Sequence, residues 1–148
     1  MRILRFLFLI AFIGGLNLSI NAQELGIRFG DVLSNDVAVD GVFSLGKFSR
    51  IHANVSFGNE FAVEALYDFL YRPLGNEDGL YWYVGAGPAL VFSDPFFLGV
   101  AGEVGMEYRF GSAPIALGID WRPTFFLIEN TDFEGGFWGI NARYVFNK

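Results

Sequence analysis

Regular two-residue alternation dominates this chain, and the segment GVAGEVGMEYRFG, residues 99–111, carries it most clearly. Apolar side chains occupy its even positions, whereas Glu103, Glu107 and Arg109 occupy odd positions. A helix, turning about 100° per residue, would scatter both sets, but a strand collects each set on one face. Four glycines in the segment also disfavour a helix. The segment is therefore predicted to be a long strand with one apolar and one charged face.

The same alternation recurs in eight segments that are separated by turn signals. A transmembrane strand needs about 9 to 11 residues, whereas strands of soluble proteins average about 5 to 6. The segments of this chain carry roughly 8 to 14 residues, which favours the transmembrane kind. We therefore expect an all-β protein, an eight-stranded antiparallel up-and-down transmembrane β-barrel. The segments are LGIRFGDV, the stretch from Val37, RIHANVSFG, FAVEALYDFLYR, residues 80–92, residues 99–111, PIALGIDWRPTFF and WGINARYVF.

The first 22 residues, MRILRFLFLIAFIGGLNLSINA, have the layout of a secretory signal peptide. Two arginines precede a short apolar run, and a small residue, Ala22, ends the segment. A single membrane anchor is the alternative, but glycines interrupt the run early. Residues 1–22 are thus predicted to be cleaved, and residues 23–148 to form one barrel domain. No later run has the eighteen or more uncharged apolar residues of a spanning helix, so entry into a membrane requires a closed barrel.

Composition excludes several classes of protein. There is no cysteine, so neither disulfides nor thiolate metal sites are available. Two of the ten basic residues lie in the predicted leader, so residues 23–148 carry eight basic and sixteen acidic residues, a formal charge of −8. This balance argues against a nucleic-acid partner.

The polar faces of the predicted strands carry six arginines and six carboxylates, so their formal charges cancel. An arginine facing lipid at the midplane costs about 2 to 4 kcal/mol, whereas inside a narrow barrel it can pair with a carboxylate. We therefore predict a structural network in the lumen, which also includes the one histidine. Its members are Arg28, Asp40, Arg50, His52, Glu64, Asp68, Arg72, Glu103, Glu107, Arg109, Asp120, Arg122 and Arg143.

Aromatic residues collect towards both ends of the predicted strands, as in the interfacial girdles of membrane barrels. One predicted girdle contains Tyr71, Trp82, Tyr108 and Tyr144, and the other Phe92, Trp121, Phe125 and Trp138. With a periplasmic N-terminus, the outer loops are predicted near residues 31–36, 58–60, 93–95 and 128–135. Pro88 lies within the fifth strand, where its missing donor predicts a β-bulge beside Gly87.

The segment FFLGVAGEVGMEYRFGSAPIALGIDWRPTF, followed by WGINARYVF, resembles the small outer-membrane β-barrel proteins of the OmpA and OmpX type, especially the Bacteroidota versions. The resemblance covers essentially residues 23–148 and rests on alternation and glycine. It implies a Gram-negative outer-membrane location, outer-membrane lipids as surroundings, a monomer, and insertion by the barrel-assembly machinery. That machinery reads an aromatic end of the last strand, a role that Tyr144 and Phe146 fit.

Three candidate chemistries were weighed against structural roles. His52, with Ser44, Ser56 and Asp40 nearby, offers the residue types of a hydrolase triad, but a lumenal histidine cannot reach lipid. The acidic loop residues Glu129, Asp132 and Glu134 could hold a hard cation, although their spacing does not match an EF-hand. Glycines at 99, 102 and 105 match no phosphate-loop pattern and are expected to make room in the lumen or bend the strand. No catalytic residue, cofactor or metal site is therefore predicted.

An eight-stranded barrel has an interior just wide enough for side chains to fill. The expected function is that of an integral outer-membrane protein of structural or surface-interaction type that is neither an enzyme nor a general porin. Two alternatives are a lipid-acting enzyme that uses His52, and a lipocalin-like periplasmic carrier of an apolar ligand. Alternation alone does not decide which face of the strands lies inside.

Overall fold

The computed structural model describes residues 23–128 and 131–146. The predicted signal peptide, residues 1–22, lies outside the described residues. Every regular element within them is a β-strand. No helix that is long and apolar enough to cross a membrane occurs among them.

Ten antiparallel strands make up the fold. They are β1 (Gln23–Val32), β2 (Asn35–Ser44), β3 (Arg50–Ser56), β4 (Phe61–Pro73), β5 (Leu80–Phe92), β6 (Phe97–Arg109), β7 (Ile115–Trp121), β8 (Thr124–Phe126), β9 (Asp132–Glu134) and β10 (Trp138–Val145).

Eight of these strands close into a ring. Each strand from β1 to β6 pairs with the next, β7 also pairs with β10, and β10 pairs with β1. Among the described residues, every strand of the ring therefore pairs with a neighbour on both sides, and the ring contains no edge strand. The predicted closed, antiparallel, eight-stranded barrel is confirmed.

The seventh predicted segment is divided in two. β7 ends at Trp121, which pairs with Val104 of β6, and β8 resumes opposite Gly99–Ala101 of the same strand. Pro123 lies at the break, where its missing donor cannot take part in a ladder. The predicted loop over 128–135 also needs correction, because β9 lies within it and pairs with β8. β8 and β9 thus continue the wall alongside the first part of β6, beyond the end of β7.

The two faces of the wall differ sharply in polarity. Along β10, Asn141 and Arg143 are buried in the lumen, whereas Trp138, Ile140 and Tyr144 are exposed on the outside. The other strands of the ring show the same division, with charged side chains inside and large apolar ones outside. This polarity is the reverse of that of a soluble globular domain, in which apolar side chains fill the interior.

The only register shift in the β4–β5 pair lies between Asp68 and Leu70, and not beside Gly87 as predicted. One extra residue in β4 inverts its alternation from that point onward. Tyr71 therefore turns into the lumen and Arg72 turns out, the reverse of the faces predicted for both residues. The register of β5 with β6 continues without a shift through Pro88, which lies opposite Val100.

Candidate functional site

The lumen contains nearly all of the charged side chains that the alternation predicted there. Eleven of the thirteen predicted members are buried, and Arg109, with 23% of its side chain exposed, lies at the end formed by the β2–β3, β4–β5 and β6–β7 turns, hereafter the turn end. Arg72 is not among them. It is exposed beyond the bulge in β4, and its guanidinium lies 3.8 Å from the ring centroid of Phe48.

Glu107 is the centre of the first cluster, towards the turn end. It accepts hydrogen bonds from Arg50 at 3.0 Å and from Tyr71 at 2.6 Å, and it pairs with Arg109 at 3.2 Å and with Arg143. Three guanidinium groups therefore share the single negative charge of Glu107. Charge-assisted hydrogen bonds of this kind are roughly twice as strong as neutral ones.

Arg50 and Arg143 extend this cluster. Arg50 donates to Asp68 at 2.8 Å, and its guanidinium lies 4.3 Å from the ring centroid of Tyr71 and 4.4 Å from that of Tyr83. Arg143 donates to Glu24 at 2.9 Å and to Asp40 at 3.3 Å in addition to Glu107. The two arginines therefore link strands on opposite sides of the lumen and stiffen its cross-section.

The second cluster joins Arg28 to Asp120. Arg28 Nε and Nη2 donate to Asp120 Oδ1 at 2.9 and 2.6 Å, and Asn141 donates to Asp120 Oδ2 at 3.0 Å. Room for Arg28 comes from Gly139, because a Cβ there would lie 2.6 Å from Arg28 Nε. Gly105 makes room for Tyr83 in the same way, as predicted for the glycines of β6, whereas a Cβ at Gly102 would have no atom closer than 3.7 Å.

The third cluster surrounds His52, which is fully buried. Its Nε2 lies 2.6 Å from Asp40 Oδ1, and its Nδ1 lies 2.7 Å from Glu103 Oε1. Asn54 donates to the same Asp40 oxygen, and Arg122 Nη2 lies 3.2 Å from Glu103 Oε1. The imidazole is held between two carboxylates on opposite sides of the ring.

The described residues do not assemble a hydrolase triad around His52. The Oγ of Ser56 accepts a hydrogen bond from Asn35 at 3.0 Å, and Ser44 lines the cavity at the turn end. Asp40 and His52 are in contact, but each ring nitrogen of His52 faces a carboxylate. A hydrolase needs a hydroxyl at one of these nitrogens.

Small apolar side chains fill part of the lumen away from the turn end. Leu66, Ala89 and Ala101 pack together there and are completely buried. At the turn end, a cavity of about 1040 Å³ is lined by residues that include Glu24, Arg50 and Tyr71. Another cavity, of about 430 Å³, opens at the opposite end beneath β8 and β9.

Sequence reasoning missed several members of the network. Glu24 was assigned to the terminus, although it shares the even-numbered face of β1 with Arg28 and pairs with Arg109 and Arg143. Extending the alternation of the first predicted strand by one residue towards the N-terminus places Glu24 on the same face as Arg28. Tyr71 could not be found in this way, because the bulge in β4 has no clear signal in the sequence.

These changes alter the predicted balance of six positive and six negative charges. Arg72 leaves the lumen and Glu24 enters it, so five arginines face seven carboxylates among the described lumenal residues. With His52 neutral, the formal charge of the lumen is −2.

Two groups of residues were considered for metal binding. Asp132 and Glu134 of the acidic loop belong to β9 and are exposed, while Glu129 lies outside the described residues. The other group is His52, Asp68 and Glu103, all buried, each of which offers one ligand atom within 4.8 Å of the others.

No protein-family model matches the chain, and no curated protein is significantly similar to it. The resemblance to OmpA and OmpX barrels therefore stays a prediction.

Proposed function

We propose that this chain is an integral outer-membrane β-barrel protein of structural or surface-interaction type, with a lumen filled by side chains and no enzyme activity. The observation that carries this proposal is the inverted polarity of the wall. One register row across four strands consists of Phe29, Ile140, Ile119 and Met106, with exposed fractions of 52%, 62%, 50% and 44%. The next row towards the turn end, from Ile27 to Tyr108, is equally apolar.

An apolar belt of this kind suits lipid and not water. Soluble monomers rarely expose contiguous apolar patches larger than a few hundred Å². In hydrocarbon, by contrast, the outside of a spanning barrel must be apolar and every backbone group must be paired within the protein. The eight-stranded ring fits these requirements, because each of its strands pairs with a neighbour on both sides and large apolar side chains cover its outside.

Location and assembly belong to the same proposal. The signal peptide predicted over residues 1–22 would export the chain, and the barrel-assembly machinery of a Gram-negative cell would insert it. Tyr144 and Phe146 are exposed aromatics near the end of the last strand of the ring, as the resemblance to OmpA and OmpX requires. A ring closed within one chain supports a monomer.

The lumen is unsuited to general diffusion of solutes. Arg143 pairs with Asp40 of β2 and Glu107 of β6, Arg122 pairs with Glu64 of β4, and apolar side chains fill another part of the lumen. We therefore expect no porin-like conductance when the purified protein is added to a planar lipid bilayer. Steady conductance of nanosiemens would contradict a filled lumen.

The two alternatives receive less support. A lipocalin-like carrier needs an apolar interior for its ligand, whereas the middle of this lumen is charged. A lipid-acting enzyme needs a nucleophile and access to lipid, and His52 is buried between Asp40 and Glu103 without a serine at either nitrogen.

The membrane location is tested by producing the full chain in a Gram-negative host and separating inner membrane, outer membrane and periplasm. We expect the protein in the outer-membrane fraction, with an SDS gel mobility that changes on boiling, because a closed barrel stays folded in SDS until heated. Protein recovered in the periplasm, with the same mobility before and after boiling, would refute the proposal.

A further inference from the structure

The lumenal residues His52, Asp68 and Glu103 lie within ligand distance of one another at a point where the lumen carries excess negative charge. Their nearest ligand atoms are all within 4.8 Å. Two ligand atoms of one tetrahedral transition-metal ion lie about 3.3 to 3.6 Å apart, since each metal–ligand bond is about 2.0 to 2.2 Å long. Small side-chain rotations would therefore bring all three groups onto one ion.

Each carboxylate of this trio has one oxygen bound and one oxygen without a partner. Asp68 Oδ2 accepts from Arg50 at 2.8 Å, whereas Asp68 Oδ1 is buried and has no hydrogen-bond partner in the protein. Likewise, Glu103 Oε1 pairs with Arg122 at 3.2 Å, whereas Glu103 Oε2 is buried without a partner. A buried carboxylate oxygen without a donor is costly, and a cation would satisfy it.

Gly85 positions the two carboxylates. It lies opposite Asp68 of β4 and opposite Glu103 of β6, so the three residues form one row across three strands. A side chain at Gly85 would overlap Asp68 Oδ1. The absence of a Cβ thus lets both carboxylates share the space in front of β5.

His52 is oriented as metal-binding histidines usually are. A ligating imidazole commonly donates its other N–H to a carboxylate, which sets the tautomer and the ring orientation. Here His52 Nε2 lies 2.6 Å from Asp40 Oδ1, and Nδ1 faces Glu103. Asp40 is then a positioning residue, and Nδ1 would bind the ion in exchange for its 2.7 Å contact with Glu103 Oε1.

The charge of the lumen matches a divalent ion. Five arginines and seven carboxylates leave −2 when His52 is neutral, and one divalent cation would bring the sum to zero. Two protons, one of them on His52, would do the same and are the competing state. Arg50 and Arg122 lie close to the trio, but each already pairs with further carboxylates, Glu107 and Asp120 respectively.

We propose that His52, Asp68 and Glu103 form a buried site for one divalent first-row transition-metal ion that ties β3, β4 and β6 together across the lumen. Mixed imidazole and carboxylate ligands suit zinc, manganese and iron, whereas magnesium and calcium prefer oxygen alone. The site depends on the lumen and not on the membrane location, so it stands or falls independently of the proposed function.

The test uses the full chain, produced without an affinity tag. The protein is unfolded with denaturant and chelator, refolded with Zn²⁺ or Mg²⁺, dialysed, and assayed for metal content. Metal is present during refolding because the site is enclosed. We expect one zinc ion retained per folded chain, no retained magnesium, and loss of zinc in the Asp68→Asn and Glu103→Gln variants.

Glu64→Gln is the matched control. Glu64 is another buried carboxylate of β4 with an unpartnered oxygen, but it does not belong to the trio. Its variant should retain zinc like the original protein. Loss of zinc in Glu64→Gln to the same extent as in Asp68→Asn would show attraction to negative charge alone and would overturn the site.

A measurement on the unaltered protein covers the case in which the variants fail to fold. Refolding with Co²⁺ should give visible absorption bands of a low-symmetry protein site, unlike the weak spectrum of aqueous Co²⁺. Protein that folds but retains neither zinc nor cobalt would overturn the proposal and leave protons as the neutralising cations.

Discussion

Tyr71 donates a 2.6 Å hydrogen bond to Glu107 across the lumen, although strict alternation along β4 would turn this tyrosine outward. The bulge between Asp68 and Leu70 makes the contact possible, because it shifts the alternation by one residue. The same shift sends Arg72 to the outside. One local irregularity therefore decides the composition of the network near the turn end.

Replacing Tyr71 by Phe should destabilise the protein by about 1.5 to 3 kcal/mol, the usual contribution of a hydrogen bond to a charged group. The ring remains to pack on Arg50, so the loss reports the hydroxyl group alone. The measurement is the urea midpoint of unfolding. Tyr67→Phe is the control, since Tyr67 lies on the same strand but is 48% exposed on the outer face. Equal effects of the two changes would contradict the inward position of Tyr71.

Replacing Glu107 by Ala should be among the most damaging single changes in the lumen. It removes the shared acceptor of Arg50, Arg109 and Arg143 and leaves each of these guanidinium groups with fewer carboxylate partners inside the barrel. Breaking a buried ion pair on one side costs about 3 to 5 kcal/mol. Thermal unfolding should occur at a clearly lower temperature, whereas Glu77→Ala in the exposed β4–β5 turn should leave it unchanged. An unaltered melting temperature in Glu107→Ala would count against the network.

Arginines on opposite sides of the wall should respond differently to truncation. Arg72→Ala removes only an exposed stacking contact with Phe48 and should cost about 0.5 to 1 kcal/mol. Arg50→Ala removes pairs with Asp68 and Glu107 inside the barrel and should cost several times more. Both variants are compared by equilibrium unfolding in urea. A larger loss in Arg72→Ala would restore the original prediction that Arg72 faces the lumen.

A methyl group at Gly139 should disrupt the Arg28 and Asp120 pair. The added Cβ would lie 2.6 Å from Arg28 Nε, so the guanidinium has to move away from its partner. We expect a loss of about 1 to 3 kcal/mol, as for other overpacked sites. Gly136→Ala is the control, because no atom lies within 4 Å of the corresponding Cβ. Chemical denaturation distinguishes the two variants, and comparable stability would refute the steric role of Gly139.

A charge on the outer face tests the membrane environment directly. Val104 is 47% exposed near the middle of β6, and Val104→Arg in lipid should cost about 2 to 4 kcal/mol. Leu45→Arg, just beyond the end of β2, should cost about 0 to 1 kcal/mol because it lies near the interface. The readout is the fraction of protein that folds into lipid vesicles at increasing urea concentration. Small and equal effects would indicate that the outer face meets water.

Sequence alone predicted the strand positions and the side of the wall on which most charges lie. In β6 and β10, for example, alternation has a period of two without interruption, so the inward residues Glu103, Glu107, Asn141 and Arg143 follow from counting. The prediction failed in β4, where the bulge inverts the count after Asp68. It also failed at Glu24, since the predicted first strand began one residue later.

What the sequence by itself determined is therefore the number of strands in the ring, their antiparallel order and their two unlike faces, because each depends on local periodicity and short turns. Tertiary structure alone decided which carboxylate meets which arginine. His52, Asp68 and Glu103 come from three strands that are distant in the sequence, and they meet only because ring closure and the stagger of strands bring their rows together. Pairing partners depend on register around the whole barrel, and no local pattern of residues encodes that register.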